Sequence, residues 1–209
     1  MLKFPFQIVL GSQSPRRKEL LGLMNIDFRI EVQEVEESYP ENLTPIEIAI
    51  HIASKKAKAF KGLSANELLI TADTIVAQHQ HILGKPKDAA HAKEMIQQLA
   101  GNSHEVITAV AFQYQSQLIT FHDCTKVYMN PLSELEIEHY IENYQPYDKA
   151  GAYGIQEWIG IVAIQKIEGS YTNVMGLPTE KLYQELQIIK TRLNFLIIFS
   201  ITTDQVAEF

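Results

Sequence analysis

Cysteine occurs once in the 209 residues, at Cys124. A lone cysteine excludes a disulfide framework and fits a reducing compartment, so a cytoplasmic location is expected. Cys124 falls in an apolar, β-rich stretch, where a buried thiol is expected rather than a nucleophile. Long apolar runs are also missing. None reaches the length of a membrane span, so no membrane partner is expected. Residues 1–10 hold one lysine and no long apolar core, so no secretory leader is expected either. Positive charge is in deficit, with 18 Lys and Arg against 25 Asp and Glu, a net charge of −7. That balance argues against a nucleic-acid partner. There is no internal repeat and no low-complexity segment. The Walker A pattern is absent after the first strand, which excludes a P-loop nucleotidase.

What is present is unevenly placed. Arg16, Arg17, Lys18, Lys55, Lys56, Lys58, Lys85 and Lys87 form three short basic clusters in the N-terminal half. In an acidic protein, focused cations suit a small polyanion better than a long one. The first cluster is the most informative. Ile8-Val9-Leu10 reads as a short buried strand, and Gly11-Ser12-Gln13-Ser14-Pro15-Arg16-Arg17-Lys18 leads into a helix with Leu20, Leu21 and Met24 on its apolar face. Ser14 is a suitable N-cap, and Pro15 fits the first helical turn. Three cations at the positive end of a helix dipole cost about 0.3–1 kcal/mol each. An anion bound there, on free backbone N–H groups and the arginines, would offset that cost. The competing reading is a solvated basic patch.

The remaining chain alternates strand and helix. A strand is expected over 28–35, running into Glu34, Glu36 and Glu37, which by spacing alone read as a solvated loop. Thr44 and Glu47 form a capping box for a helix ending at Gly62, with Ile48, Ala49, Ile52, Ala53 and Ala57 inward and Lys55, Lys56 and Lys58 elsewhere on its circumference. Residues 68–77 read as a central strand buried on both faces, interrupted by Asp73. A carboxylate there must be paired, hydrogen-bonded or on a metal. It precedes the Leu83-Gly84-Lys85-Pro86 turn. His79 and His81 fall in the connecting turn and read as loop. A helix over 88–99, a hairpin over 104–128, a capped helix from Ser133 to near Asn143, a strand over 159–167 and a helix capped by Thr179 and ending near Lys190 complete the pattern. The Gly151 and Gly154 segment either lets backbone approach a ligand or is a plain turn. The expected fold class is α/β, with a mixed, twisted central sheet flanked by helices and an active-site cleft. Residues 1–192 read as one domain and 193–209 as an extension that adds a strand, covers an apolar patch or forms an interface. By physics alone, these features suggest a phosphate-handling enzyme with a divalent cation.

The chain resembles the Maf family of nucleoside triphosphate pyrophosphatases. The matching stretches are 12–21 (Ser-Gln-Ser-Pro-Arg-Arg-Lys-Glu-Leu-Leu), 72–76 (Ala-Asp-Thr-Ile-Val), 83–86, 101–110, 148–156 and 174–178, in the family's order and spacing from about 7 to about 190. The resemblance implies cleavage between the α and β phosphates of a nucleoside triphosphate. It makes Asp73 the proton acceptor, and Ser12, Ser14, Arg16 and Arg17 phosphate binders. Lys56 and Lys85 would neutralise the triphosphate, and Glu36 or Glu37 would join Asp73 around Mg²⁺ or Mn²⁺. Arg16, Thr74 and Gln156 match the subgroup acting on dTTP and UTP rather than the one acting on 7-methyl-GTP. A Gln side chain offers one donor and one acceptor to a uracil or thymine edge. The resemblance also implies a homodimer. Two other roles go with it: a nucleotide-binding regulator of septum formation and cell division, and a house-cleaning enzyme for modified pyrimidine nucleotides. The sequence departs from the family at Glu157-Trp158-Ile159-Gly160, where a shorter, glycine-rich turn is usual, and in the tail.

Overall fold

The computed structural model describes residues 3–206, with side chains up to residue 193. Among the described residues, seven strands form one mixed sheet. β1 (Gln7–Leu10) lies between β2 (Phe28–Ile30) and the long β3 (Glu67–Gln78), parallel to both. β5 (Ser103–Tyr114), β6 (Gln117–Met129) and β7 (Ile164–Glu168) continue the sheet antiparallel on the other side of β3, and β4 (His81–Leu83) folds back on the end of β3.

The period of two along β3 sends Leu68, Ile70, Ala72 and Val76 to one core cluster and Leu69, Ile75 and Ala77 to the other. α2 (Pro45–Ala59) covers the second face with Ile48, Ala49, Ile52, Ala53 and Ala57. The first face is covered by α1 (Pro15–Leu23), α3 (Ala89–Leu99), α4 (Glu134–Tyr144) and α7 (Thr179–Val206), through residues such as Leu21, Ile96, Tyr140 and Leu186. Capping boxes open α2 at Thr44 and Glu47 and α4 at Ser133 and Glu136, so local hydrogen bonding fixes where both helices start.

Several expectations are corrected. The strand over 28–35 stops at Ile30, because β1 ends at Leu10 and offers later residues no ladder. The expected strand over 159–167 is split into a short helix, α5 (Trp158–Val162), and then β7. Gly160 lies so close to Ile155 that a Cβ there would sit 1.8 Å from the Ile155 carbonyl oxygen. Ile159 and Ala163 are fully buried in that apolar run, while Ile161 is 79% exposed. Cys124 is exposed, since the alternation of β6 turns Thr125 inward in its place. Thr179 is the first residue of α7 rather than its cap. The tail adds no strand up to Val206, because α7 carries the chain that far; residues 207–209, and side chains from 194 onward, lie outside the described residues. Among the described residues no helix is long and apolar enough to cross a membrane.

One feature of the sheet positions the candidate site. β1 pairs with β3 only as far as Leu10 and Ile70, and β4 joins β3 only from Val76. Between them, residues 71–75 have no strand on that side. The gap lies beyond the carboxyl end of β1, the usual ligand crevice of an α/β sheet.

Candidate active site

A cleft of about 860 Å³ opens at this gap. All eleven residues singled out from the sequence line it: Ser12, Ser14, Arg16, Arg17, Glu36, Glu37, Lys56, Asp73, Thr74, Lys85 and Gln156. They come from six segments that the chain keeps far apart.

Asp73 sits on the α2 face of β3. Its neighbour there is Lys56, which lies one turn after Ile52 and so next to the buried face of α2, not elsewhere on its circumference as expected. The Lys56 ammonium is 2.8 Å from Asp73 Oδ1 and 2.7 Å from Glu37 Oε1. Burial pushes the Asp73 carboxyl above its ordinary range, against the pull of Lys56 and Arg17. Burial acts on Glu37 in the same sense, but the Lys56 hydrogen bond and charge, with Lys85 and Arg17, hold that carboxyl below its ordinary value. Two carboxylates near one cleft therefore differ in proton affinity, the pattern of an acid–base site. Glu36 lines the cleft without completing a third ligand; among the described residues no three His, Cys, Asp or Glu side chains are grouped to hold a metal.

Arg17 is engaged by the protein itself. Its Nε donates to the Gly176 carbonyl at 2.8 Å, and one terminal nitrogen donates to Ala72 O and Ser12 Oγ at 2.9 and 3.2 Å. The other donates to Thr74 Oγ1 at 3.0 Å. Arg17 thus stands in for the missing strand beside Ala72. Burial lowers its pKa, but a guanidinium remains charged. It supplies positive field and rigidity rather than a free fork. Thr74 accepts from Arg17, so its own hydroxyl donates to Thr108 Oγ1 at 3.0 Å, and Thr108 donates on to Asn173 O at 2.9 Å. Thr74 therefore acts in the site by holding Arg17. Gly176 ends α6 (Tyr171–Met175) at φ 111°, which aims its carbonyl at Arg17 and excludes a side chain.

The mouth of α1 retains binding capacity. Ser14 takes the N-cap position without the expected side-chain cap. Ser12 Oγ accepts from Ser14 N–H and from Arg17, which leaves its own hydroxyl hydrogen to donate. Among the described residues Arg16 makes one side-chain hydrogen bond, to Asp148 Oδ2 at 3.1 Å, and keeps its other donors. Lys85 also lines the cleft, is exposed, and makes no ion pair among the described residues. Farther along, the Gln156 amide oxygen is buried with no hydrogen-bond partner among the described residues. An unmet acceptor on a cleft wall is costly unless a ligand supplies the donor. Tyr153 forms another part of the wall, its hydroxyl 2.7 Å from His104 Nε2. Burial lowers His104 to about 4, so that ring adds no charge.

Sequence reasoning missed Lys149, Glu157, Tyr140 and Thr108. Lys149 is 8% exposed, yet its ammonium reaches Asp148 Oδ1 at 2.7 Å and Glu157 Oε1 at 3.1 Å. Nothing in its spacing distinguishes it from a surface lysine. The motif around it was the only available signal.

The chain is similar over most of its length to known proteins. The Maf family model, described as Maf-like protein, matches residues 7–189. The chain is 51% identical over 182 residues to the dTTP/UTP pyrophosphatase of Flavobacterium johnsoniae, covering 87% of this chain and 94% of that one. It is 50% identical over 180 residues to the dTTP/UTP pyrophosphatase of Cytophaga hutchinsonii, covering 86% and 83%.

Proposed function

Because this chain belongs to the Maf family, we propose that it is a nucleoside triphosphate pyrophosphatase, hydrolysing dTTP and UTP to the monophosphate and pyrophosphate. One observation carries the reading: a single cleft joins a cationic helix mouth, a buried carboxylate and an unmet amide acceptor. The α1 mouth, with Ser12 and Arg16, grips the phosphate tail, and Lys85 closes on it. Asp73 takes the proton of the attacking water at the α phosphorus. Its raised proton affinity suits that task better than an ordinary carboxylate would. Arg17 contributes fixed charge from behind. A panel of triphosphates assayed for pyrophosphate release tests this: dTTP and UTP should lead, and comparable turnover of 7-methyl-GTP would contradict it. The lone cysteine is consistent with a site of action in the reducing cytoplasm.

Gln156 sets the base. Its amide oxygen accepts the ring N–H of uracil or thymine, and its amide N–H donates to the adjacent carbonyl. Cytosine lacks that N–H. Gln156→Ala should therefore narrow the preference for UTP over CTP by about tenfold or more, the worth of such a hydrogen bond at a closed site. Steady-state kinetics on both nucleotides would show it.

Mg²⁺ or Mn²⁺ fits the donor set at one end of the cleft. Asp73 and Glu37 already converge on one cationic point, the Lys56 ammonium, and Mg²⁺ is commonly held by one or two carboxylates plus substrate phosphates. When bound, the ion would neutralise developing phosphate charge and acidify water. Glu37→Gln should raise the metal concentration needed for half-maximal rate by about tenfold, whereas Glu36→Gln should leave it within about twofold. Metal titrations of the three proteins separate these outcomes.

A further inference from the structure

We infer that Glu157 is a positioning residue for base selection, holding the turn that carries Gln156 so that its amide faces the cleft. The inference rests on the proposed pyrimidine triphosphatase reading. Gln156 lies within a turn closed by the Glu157 N–H donating to Gly154 O at 3.0 Å. A backbone turn alone does not fix the side chain beside it. Three further contacts do: two end on the Glu157 carboxylate and the third on the Tyr140 hydroxyl bonded to it. The hydroxyl of Tyr140, a residue wholly buried in α4, donates to Glu157 Oε2. Since that hydroxyl gives its hydrogen to the carboxylate, its oxygen accepts the Gly154 N–H, at 3.0 Å. Glu157 Oε1 meets the Lys149 ammonium at 3.1 Å.

Both ends of the turn, Gly154 and Glu157, are thereby tied to the interior of α4 and to a buried cation. Glu157 does not itself line the cleft, whereas Gly154 and Gln156 do. It sits behind the base wall and acts through it. The fit is close: a Cβ built on Gly154 would lie 2.7 Å from the Glu157 carboxyl carbon. Glycine at 154 is therefore what gives the carboxylate its room. Lys149 extends the chain of contacts through Asp148 to Arg16, so the base wall and the phosphate mouth are braced by one line of charges.

The test uses Glu157→Ala, Glu157→Gln, Gly154→Ala and the Gly154→Ala/Glu157→Ala pair. The three atoms nearest the extra methyl of Gly154→Ala all belong to the movable end of the Glu157 side chain, so the protein should fold with the carboxylate displaced. Glu157→Ala and Gly154→Ala should each raise KM for dTTP and UTP by about tenfold with kcat within about threefold, and should narrow the UTP over CTP preference. Glu157→Gln keeps an acceptor for Tyr140 and should recover most of the loss. The pair should be no worse than Glu157→Ala alone, because without the carboxylate the methyl has nothing to displace. Equal losses of kcat on UTP and CTP with the preference intact would mark a merely structural role and overturn the inference. If Gln156→Ala loses the preference while Glu157→Ala keeps it, this inference fails and the functional reading stands. If the unaltered protein shows no pyrimidine preference, both fall.

Discussion

Asp73→Asn should lower turnover of UTP by about 10³-fold or more, while nucleotide binding stays within a fewfold. The substitution keeps an oxygen for Lys56 to reach at the Asp73 position, so the cleft is preserved. What it removes is the lone pair that accepts a proton from water. Binding measured by calorimetry alongside turnover separates the two effects. The same pair of measurements decides between hydrolysis and signalling by bound nucleotide: a cellular effect that depends on turnover is lost with Asp73→Asn, and one that depends on binding survives. The pH profile gives a second readout. Burial raises the Asp73 pKa, and the carboxyl must be ionised to act, so kcat/KM should fall toward acid with a midpoint above the ordinary carboxylate value of about 4. Lys56 lowers that pKa, so Lys56→Met should carry the acid limb to still higher pH. A limb that stays at the ordinary value in both proteins would remove Asp73 from the base role.

Arg17→Ala should be the most damaging change to stability within the site. It strands two carbonyls, Ala72 O and Gly176 O, and ends the hydrogen-bond line through Thr74 and Thr108 to Asn173 O. Buried acceptors left unpaired cost about 1–3 kcal/mol apiece, so a loss of about 3 kcal/mol or more is expected. For a chain of this size that is a fall in Tm of roughly 6–12 °C. Arg17→Lys should not rescue it. An ammonium carries its donors at one point, and the four acceptors here are arranged around a planar fork. Activity should fall in both variants even where they fold, because the loop carrying Ser12 loses its anchor on β3. Calorimetric melting together with kcat at a permissive temperature would check this. A melting point within about 2 °C of the parent would show that Arg17 is not the clamp described.

The elements whose cues are local were legible in the sequence. Thr44 with Glu47 and Ser133 with Glu136 mark helix starts by side-chain chemistry that needs no tertiary context. Asp73 stood out because a carboxylate in a core strand has few affordable environments. What was illegible depends on partners distant in the chain. Residues 31–35 have strand-like composition, yet only the length of β1 decides that they do not pair. The apolar run at 159–163 forms α5 because Gly160 packs on Ile155, a contact that periodicity does not encode. Lys56 looked like a solvated helix lysine until the register of α2 on β3 placed it between Glu37 and Asp73. Arg17 is expected from the sequence at a phosphate site, but spacing cannot reveal that Ala72 and Gly176 present carbonyls to it. Glu157 drew notice only as a departure in the sequence, and its partner Tyr140 looks like any apolar-face residue of an amphipathic helix.

Asp73 is proposed to direct water to the α phosphorus of a pyrimidine nucleoside triphosphate held by the α1 mouth. Phosphorus NMR of UTP turned over in heavy-oxygen water tests it most directly. Equimolar UMP and pyrophosphate, with the label on UMP, is the predicted result; UDP with labelled inorganic phosphate would contradict it.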